Sequence, residues 1–107
     1  MMFSFIETRL FTQLVQDYLS DEEYLRVQFE LSHNPKAGAV VRGSGGVRKL
    51  RWRAPGRGKR GGYRIIYFIY RPKEVIWMLT IYPKNVLDTI PGHVLRQIRQ
   101  EILNEQE

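Results

Sequence analysis

The side chains best suited to chemistry in this sequence are cations and phenols around two predicted strands. Lys49 and Arg51 alternate along the segment RKLRWR, and Arg64 follows a glycine pair in GGYR. If these three residues share one face of a sheet, they form a pocket for one or two phosphates, because guanidinium forks match phosphate oxygens. Tyr82 and Lys84, at the end of the last predicted strand, border the same pocket. Arginine and tyrosine planes also stack on unpaired bases, as proteins that hold single-stranded RNA commonly do.

Other kinds of active site find little support in the residue types. Cysteine is absent, which excludes disulfides and thiolate metal ligands, and two histidines are too few for us to expect a zinc site. We expect His33 to cap carbonyls at a helix end and His93 to lie in the first turn of the last helix. The segment GRGKRGG lacks the spacing of a P-loop and precedes a strand, whereas a P-loop precedes a helix. We therefore expect no metal, no cofactor and no catalytic histidine.

Positive charge is concentrated in one part of the chain. Between Leu31 and Lys73 there are twelve Lys or Arg residues and no Asp or Glu, although the net charge of the whole chain is only +6. A local patch of this kind suits binding to a phosphate backbone. The alternative is a solvated face that only keeps the protein soluble, but such faces usually mix both signs. The residues that we expect to contact an RNA backbone are Arg48, Arg53, Arg57, Lys59 and Arg60.

Three segments have helical patterns. Within residues 8–19, apolar side chains recur at the i, i+3, i+4 spacing of one helix face. Ser20 and Glu23 have the spacing of a capping box for a second helix, which must end near Asn34 because a proline follows. The last helical pattern, around Leu95, runs into an acidic tail.

The other apolar segments have strand patterns. Residues 2–7 form a short opening strand, and three β-prone runs follow the second helix: GVRKLRWR, YRIIYFIY and VIWMLTIY. Alternation places Leu50 and Trp52 on the core face of the first run, and its cations on the open face. The predicted fold class is α+β in the order β-α-α-β-β-β-α. It is a small twisted antiparallel sheet with two N-terminal helices packed on it and a C-terminal helix.

The chain length and the lengths of its apolar stretches indicate how many domains to expect and whether a membrane span is present. A chain of 107 residues fits one domain, predicted to span residues 1–107, because no linker or repeat interrupts it. No stretch approaches the roughly 18 apolar residues of a membrane span, and the amino terminus lacks the basic region of a targeting segment. We therefore expect a soluble cytoplasmic protein with no membrane partner.

The order of elements and three motifs together resemble a known family. The motifs are GxRKLRW, KRGGYRIIY and LTIYPKN, and the resemblance covers nearly the whole chain. They are similar to the RelE/ParE superfamily of bacterial toxins, closest to the HigB-like branch. The resemblance implies helices packed against one side of a twisted antiparallel sheet. It also implies a type II toxin that cuts messenger RNA in the ribosomal A site, with the ribosome, the message and a cognate HigA-like helix-turn-helix antitoxin as partners.

The resemblance assigns family positions to residues of this chain. The strand lysine of RelE corresponds to Lys49, with Arg51 as a further basic contact, and the arginine of the SGYR motif corresponds to Arg64. Lys84 stands where RelE has an arginine. RelE also has a tyrosine several residues later, whereas this chain reads VLDTI there, so Tyr82 is the candidate substitute and the acid and base are left open.

The implied reaction is metal-independent RNA cleavage, in which the 2′-hydroxyl attacks the adjacent phosphate and leaves a 2′,3′-cyclic phosphate. It needs a base, stabilisation of the phosphorane and an acid for the 5′ oxygen. Lys49 is the candidate base, because neighbouring cations favour a neutral amine. Arg64 and Arg51 would stabilise the phosphorane, and Tyr82 or Lys84 would supply the proton.

Two other classes of function stay open at this point. One is a ParE-like inhibitor of DNA gyrase with the same fold, and the other is an RNA-binding module without catalysis. The basic strand pair together with GGYR favours the ribonuclease, since a gyrase inhibitor needs no such phosphate site.

Overall fold

The computed structural model describes residues 3–53, 62–87 and 89–105. The elements in these residues are β1 (Ser4–Glu7), α1 (Arg9–Tyr18), α2 (Asp21–His33), β2 (Ala39–Val40), β3 (Arg48–Arg53), β4 (Gly62–Tyr70), a 3₁₀ turn (Arg71–Lys73), β5 (Val75–Pro83) and α3 (Gly92–Glu105). The α+β class and the order predicted from the sequence are confirmed, with the two-residue strand β2 as an addition. None of the helices in this part of the chain is long and apolar enough to span a membrane.

The described strands form a mixed sheet in the order β1-β5-β4-β3-β2. β4 lies at its centre and pairs antiparallel with β3 and β5, whereas β1 pairs parallel with β5. A fully antiparallel sheet was predicted from the sequence, and this part of the prediction is wrong because β1 and β5 are parallel. The backbone N–H of Ser4 donates to the carbonyl of Glu74 over 3.0 Å, and that of Thr8 donates to Met78 over 3.0 Å. Side-chain alternation within β1 carries no information about the direction of such a distant partner.

Side-chain caps define where α1 and α2 begin. Thr8 Oγ1 accepts a hydrogen bond from the N–H of Phe11 over 3.0 Å and donates to the carbonyl of Leu79 over 2.7 Å, which ties the start of α1 to β5. Ser20 and Glu23 form the predicted capping box of α2 through two hydrogen bonds of 3.1 Å. These caps satisfy N–H groups that a helix leaves without internal partners.

The helices cover both faces of the sheet, and not one face as the resemblance implied. α1 and α2 pack on the face that carries Ile65 and Tyr67, and α3 packs through Leu95 on the face that carries Ile66 and Phe68. All four of these β4 side chains are buried. A central strand with consecutive apolar residues exposes an apolar surface on each side, so each side needs a covering layer.

Hydrogen bonds of two tyrosines hold α1 and α2 against their face of the sheet. Tyr24 donates to the carboxylate of Glu7 over 2.6 Å, and Thr12 donates to the other oxygen of that carboxylate over 2.6 Å. Burial, followed by the Glu7 contact, raises the pKa of Tyr24 well above its ordinary value. Tyr67 donates to the carbonyl of Pro35 over 2.6 Å and accepts from the N–H of Gly38 over 2.9 Å. These bonds tie α1, α2 and the segment that follows α2 to the sheet.

Candidate active site

The strand register places three of the predicted site residues in one row across the sheet. Arg51 on β3 lies directly opposite Arg64 on β4, and Arg64 lies directly opposite Tyr82 on β5. Residues that lie opposite each other on neighbouring strands project from the same face. The shared face on which the sequence prediction depended is therefore present.

Neighbouring rows bring further predicted residues to the same face. Lys49 is two positions from Arg51 on β3 and pairs with Ile66, and Arg53 pairs with Gly62. Lys84 joins the row of Arg53, because its N–H donates to the carbonyl of Gly62 over 3.0 Å. A Cβ atom at Gly62 would lie 3.3 Å from Lys84 Cδ, so the glycine leaves room for the lysine side chain beside the strand.

A surface pocket of about 310 Å³ lies at this end of the sheet, and we call it the cationic pocket. It is lined by Arg51, Trp52, Arg53, Gly62, Arg64 and Lys84. Four of these side chains are positively charged, and no carboxylate is among the described residues that line the pocket. Like charges placed directly opposite each other destabilise a sheet, so an anion bound between Arg51 and Arg64 would relieve their repulsion.

Arg64 is half-buried and lines the cationic pocket from the central strand β4. Its Nε atom is buried and has no hydrogen-bond partner among the residues that the structure describes. A buried donor without a partner is costly in a folded protein. The Arg64 side chain also lines the pocket, where the fork of its guanidinium group matches the oxygens of a phosphate.

Tyr82 and Lys84 occupy different environments, although both lie at the end of β5 beside the row of Arg64. Tyr82 is only 8% exposed and packs in the core cluster beneath α3. Lys84 is half-buried and lines the cationic pocket directly. Of the two candidate proton donors, Lys84 is therefore the one that a ligand in the pocket can reach.

Lys49 lies one row away from the cationic pocket and contacts a segment beyond β5. Its Nζ atom donates a hydrogen bond to Thr89 Oγ1 over 2.6 Å. Thr89 belongs to VLDTI, the segment that has no tyrosine. Sequence reasoning did not find this residue, because no pattern in a short polar segment indicates which strand it will contact.

The predicted RNA-contacting arginines and lysines do not all lie together. Arg53 lines the cationic pocket, whereas Arg48 faces the other side of the sheet and donates to the carbonyl of Gly38 over 2.6 Å. Arg48 braces the segment before β2 and is not part of the pocket. Arg57, Lys59 and Arg60 lie outside the described residues.

The histidines are remote from the cationic pocket. His33 Nδ1 lies 2.9 Å from the carbonyl oxygen of Phe29 at the end of α2, which agrees with the predicted capping role. His93 is exposed in the first turn of α3. The described residues contain no group of three His, Cys, Asp or Glu side chains that could hold a metal ion. Cations are thus the groups available for chemistry in the described part of the pocket, and the buried phenol of Tyr82 lies beside them.

Comparisons with known proteins concern the fold. No protein-family model matches the chain. A free-state structure of the E. coli toxin RelE, in a variant with two arginines replaced by alanine, superposes with a TM-score of 0.64 at 16% identity, covering 92% of this chain and 98% of the RelE chain. A chain of the archaeal RelE–RelB complex of Pyrococcus horikoshii superposes with a TM-score of 0.55 at 19% identity, covering 81% of this chain and 100% of that one. The fold that the three motifs predicted, that of RelE, is confirmed.

Proposed function

We propose that this protein is the toxin of a type II toxin–antitoxin system and acts as a ribosome-dependent messenger RNA endonuclease. The observation that carries the proposal is the row formed by Arg51, Arg64 and Tyr82 on the central strands, with Lys84 beside it. A rigid sheet holds Arg51, Arg64 and Lys84 at one pocket, with Tyr82 buried opposite Arg64, in a chain with the RelE fold. Groups held on strands keep their geometry better than groups on loops.

The reaction that suits these groups is an intramolecular transesterification, in which the phosphoryl group passes from the 5′ oxygen to the neighbouring 2′ oxygen of the RNA chain. The 2′-oxygen forms a bond to the adjacent phosphorus, the bond from phosphorus to the 5′ oxygen breaks, and a 2′,3′-cyclic phosphate remains. Lys49 takes the proton of the 2′-hydroxyl, and Lys84 returns a proton to the 5′ oxygen. Arg64 and Arg51 stabilise the extra negative charge of the phosphorane. Tyr82 lies opposite Arg64 on β5 and is buried, so it does not supply the proton to the 5′ oxygen.

The proposal also specifies partners. Twelve cations lie between Leu31 and Lys73, and ribosomal RNA offers a dense phosphate surface that such a segment can bind in a salt-dependent way. The resemblance to the HigB-like branch favours a helix-turn-helix antitoxin, and the archaeal RelE–RelB complex provides an example of this fold with a bound partner. We treat residues 1–107 as one toxin domain that acts in the cytoplasm.

Primer extension on messages from cells that express the protein tests the proposal. We expect cuts at fixed positions within codons of translated messages, and no such cuts with Arg64→Ala. Lys73→Ala is the matched control, because Lys73 belongs to the same basic segment but is exposed at the opposite end of β4. Growth arrest with intact messages and altered DNA topology would instead identify a ParE-like gyrase inhibitor. RNA binding with neither effect would identify a non-catalytic module.

A further inference from the structure

The outer side of α2 carries two large apolar side chains that the core does not use. Leu25 is 64% exposed and Phe29 is 66% exposed, whereas the buried residues of α2 are Val27 and Leu31. Together with Trp52, they line a groove of about 440 Å³, which we call the α2 groove. Large exposed apolar side chains that adjoin one another often mark a binding surface.

Trp52 connects the α2 groove to the cationic pocket, since it lines both. It stands between Arg51 and Arg53 in β3, and its side chain points to the face opposite theirs. β2 pairs with β3 only at Arg48 and Lys49, so no described strand covers the edge of β3 beside Trp52. A flexible chain can therefore pass around this edge and reach both cavities at once.

The groups around the α2 groove suit a nucleobase. Phe29 and Trp52 offer aromatic surfaces for stacking, which is sequence-tolerant because every base has a π-face. Arg26 and Glu30 also line the groove and place a hydrogen-bond donor and an acceptor at its border, where base edges need both. A purely apolar ligand would have no use for these two charged residues.

We infer that the α2 groove binds an unpaired nucleobase of the same RNA strand whose phosphate occupies the cationic pocket. This inference rests on the proposed function and adds a second point of contact to it. Phosphate contacts position a nucleic acid, whereas base contacts add affinity that does not depend on released counterions. The base and the phosphate bind on opposite faces of β3, with Trp52 between them.

Binding of a fluorescent single-stranded RNA hexamer with 2′-O-methyl groups, which block cleavage, tests the inference by anisotropy. We expect Phe29→Ala to weaken binding about 10-fold, the effect of one lost stack. Leu10→Ala is the matched control and should bind like the wild type, because Leu10 is 52% exposed on α1 and lines neither cavity. A hexamer of the same length with abasic sites should bind wild type and Phe29→Ala equally.

Salt dependence separates the two contacts. Arg64→Ala should reduce the slope of log affinity against log salt by about 1, because one phosphate contact is lost. Phe29→Ala should leave that slope unchanged, since stacking releases no counterions. The fluorescence of Trp52, measured in a Trp77→Phe background, should be quenched by the hexamer and not by its abasic counterpart.

Other results would overturn the inference. Equal RNA affinity of wild type, Leu25→Ala and Phe29→Ala, with weaker binding by Arg64→Ala, would show that no base enters the groove while the proposed function stands. Loss of self-association or of antitoxin binding in Phe29→Ala, with RNA affinity unchanged, would make the groove a protein-binding surface. Failure of Arg64→Ala to change either RNA binding or message cleavage would instead contradict the proposed function itself.

Discussion

Lys49 Nζ donates a hydrogen bond to Thr89 Oγ1 over 2.6 Å, which connects the start of β3 to the segment between β5 and α3. This contact orients the lysine that we propose as the base. Thr89→Val removes the hydroxyl at nearly constant volume, and we expect it to lower the single-turnover rate of message cleavage on ribosomes about 5- to 10-fold, the effect of about one net hydrogen bond. Thr89→Ser should restore most of the rate. Equal rates for Thr89→Val and the wild type would show that Lys49 needs no such support.

Arg64 should be the most sensitive position in the cationic pocket. Arg64→Ala removes the central guanidinium, and we expect the cleavage rate to fall about 100-fold or more, as when an oxyanion donor is lost. Arg64→Lys keeps the charge but not the planar fork, so its cleavage rate should lie between that of the wild type and that of Arg64→Ala. Thermal unfolding should confirm that both variants fold. Full activity in Arg64→Lys would show that the pocket requires charge alone.

The identity of the proton donor can be decided by two substitutions. Lys84→Met keeps the length of the side chain but removes its proton, and we expect a loss of about 100-fold, within the range of general acid catalysis. Tyr82→Phe should reduce the rate only a few-fold, because Tyr82 is buried beside Arg64 and does not line the pocket. A substrate with a good 5′ leaving group should rescue Lys84→Met. The reverse order of effects would assign the acid to Tyr82.

Tyr24 should contribute to stability in a pH-dependent way. Tyr24→Phe loses the hydrogen bond to Glu7, and we expect the free energy of unfolding to fall by about 1 kcal/mol in urea titrations at pH 7. Because the folded protein raises the pKa of Tyr24, the wild type keeps this advantage below pH about 10 and loses it as the pH rises further.

Tyr18→Phe is the matched control for this measurement, since Tyr18 also packs against the core on the face of the sheet that α1 and α2 cover. The free energy of unfolding of Tyr18→Phe, relative to that of the wild type, should not rise between pH 9 and pH 11, whereas that of Tyr24→Phe should rise. A constant difference between Tyr24→Phe and the wild type over that interval would contradict the assigned role of the Tyr24 hydroxyl.

Several features of this protein could be predicted from the sequence because they depend on residues close together in the chain. The capping box of Ser20 and Glu23 and the end of α2 follow from local backbone hydrogen bonding. The shared face of Lys49 and Arg51 follows from the two-residue period of a strand. The order of elements together with the motifs GxRKLRW, KRGGYRIIY and LTIYPKN was sufficient to predict the RelE fold.

Other features were decided by the tertiary structure, because they depend on pairing between distant segments. The register between β4 and β5 places Tyr82 opposite Arg64 yet buries it, so that Lys84 and not Tyr82 lines the pocket. β1 joins β5 in parallel, and α3 covers the second face of the sheet, since edge hydrogen bonds and apolar surface must be satisfied by whichever segments can reach them. Thr89 meets Lys49 for the same reason: the position of a loop is set by the long-range packing at its two ends, which no short stretch of sequence encodes.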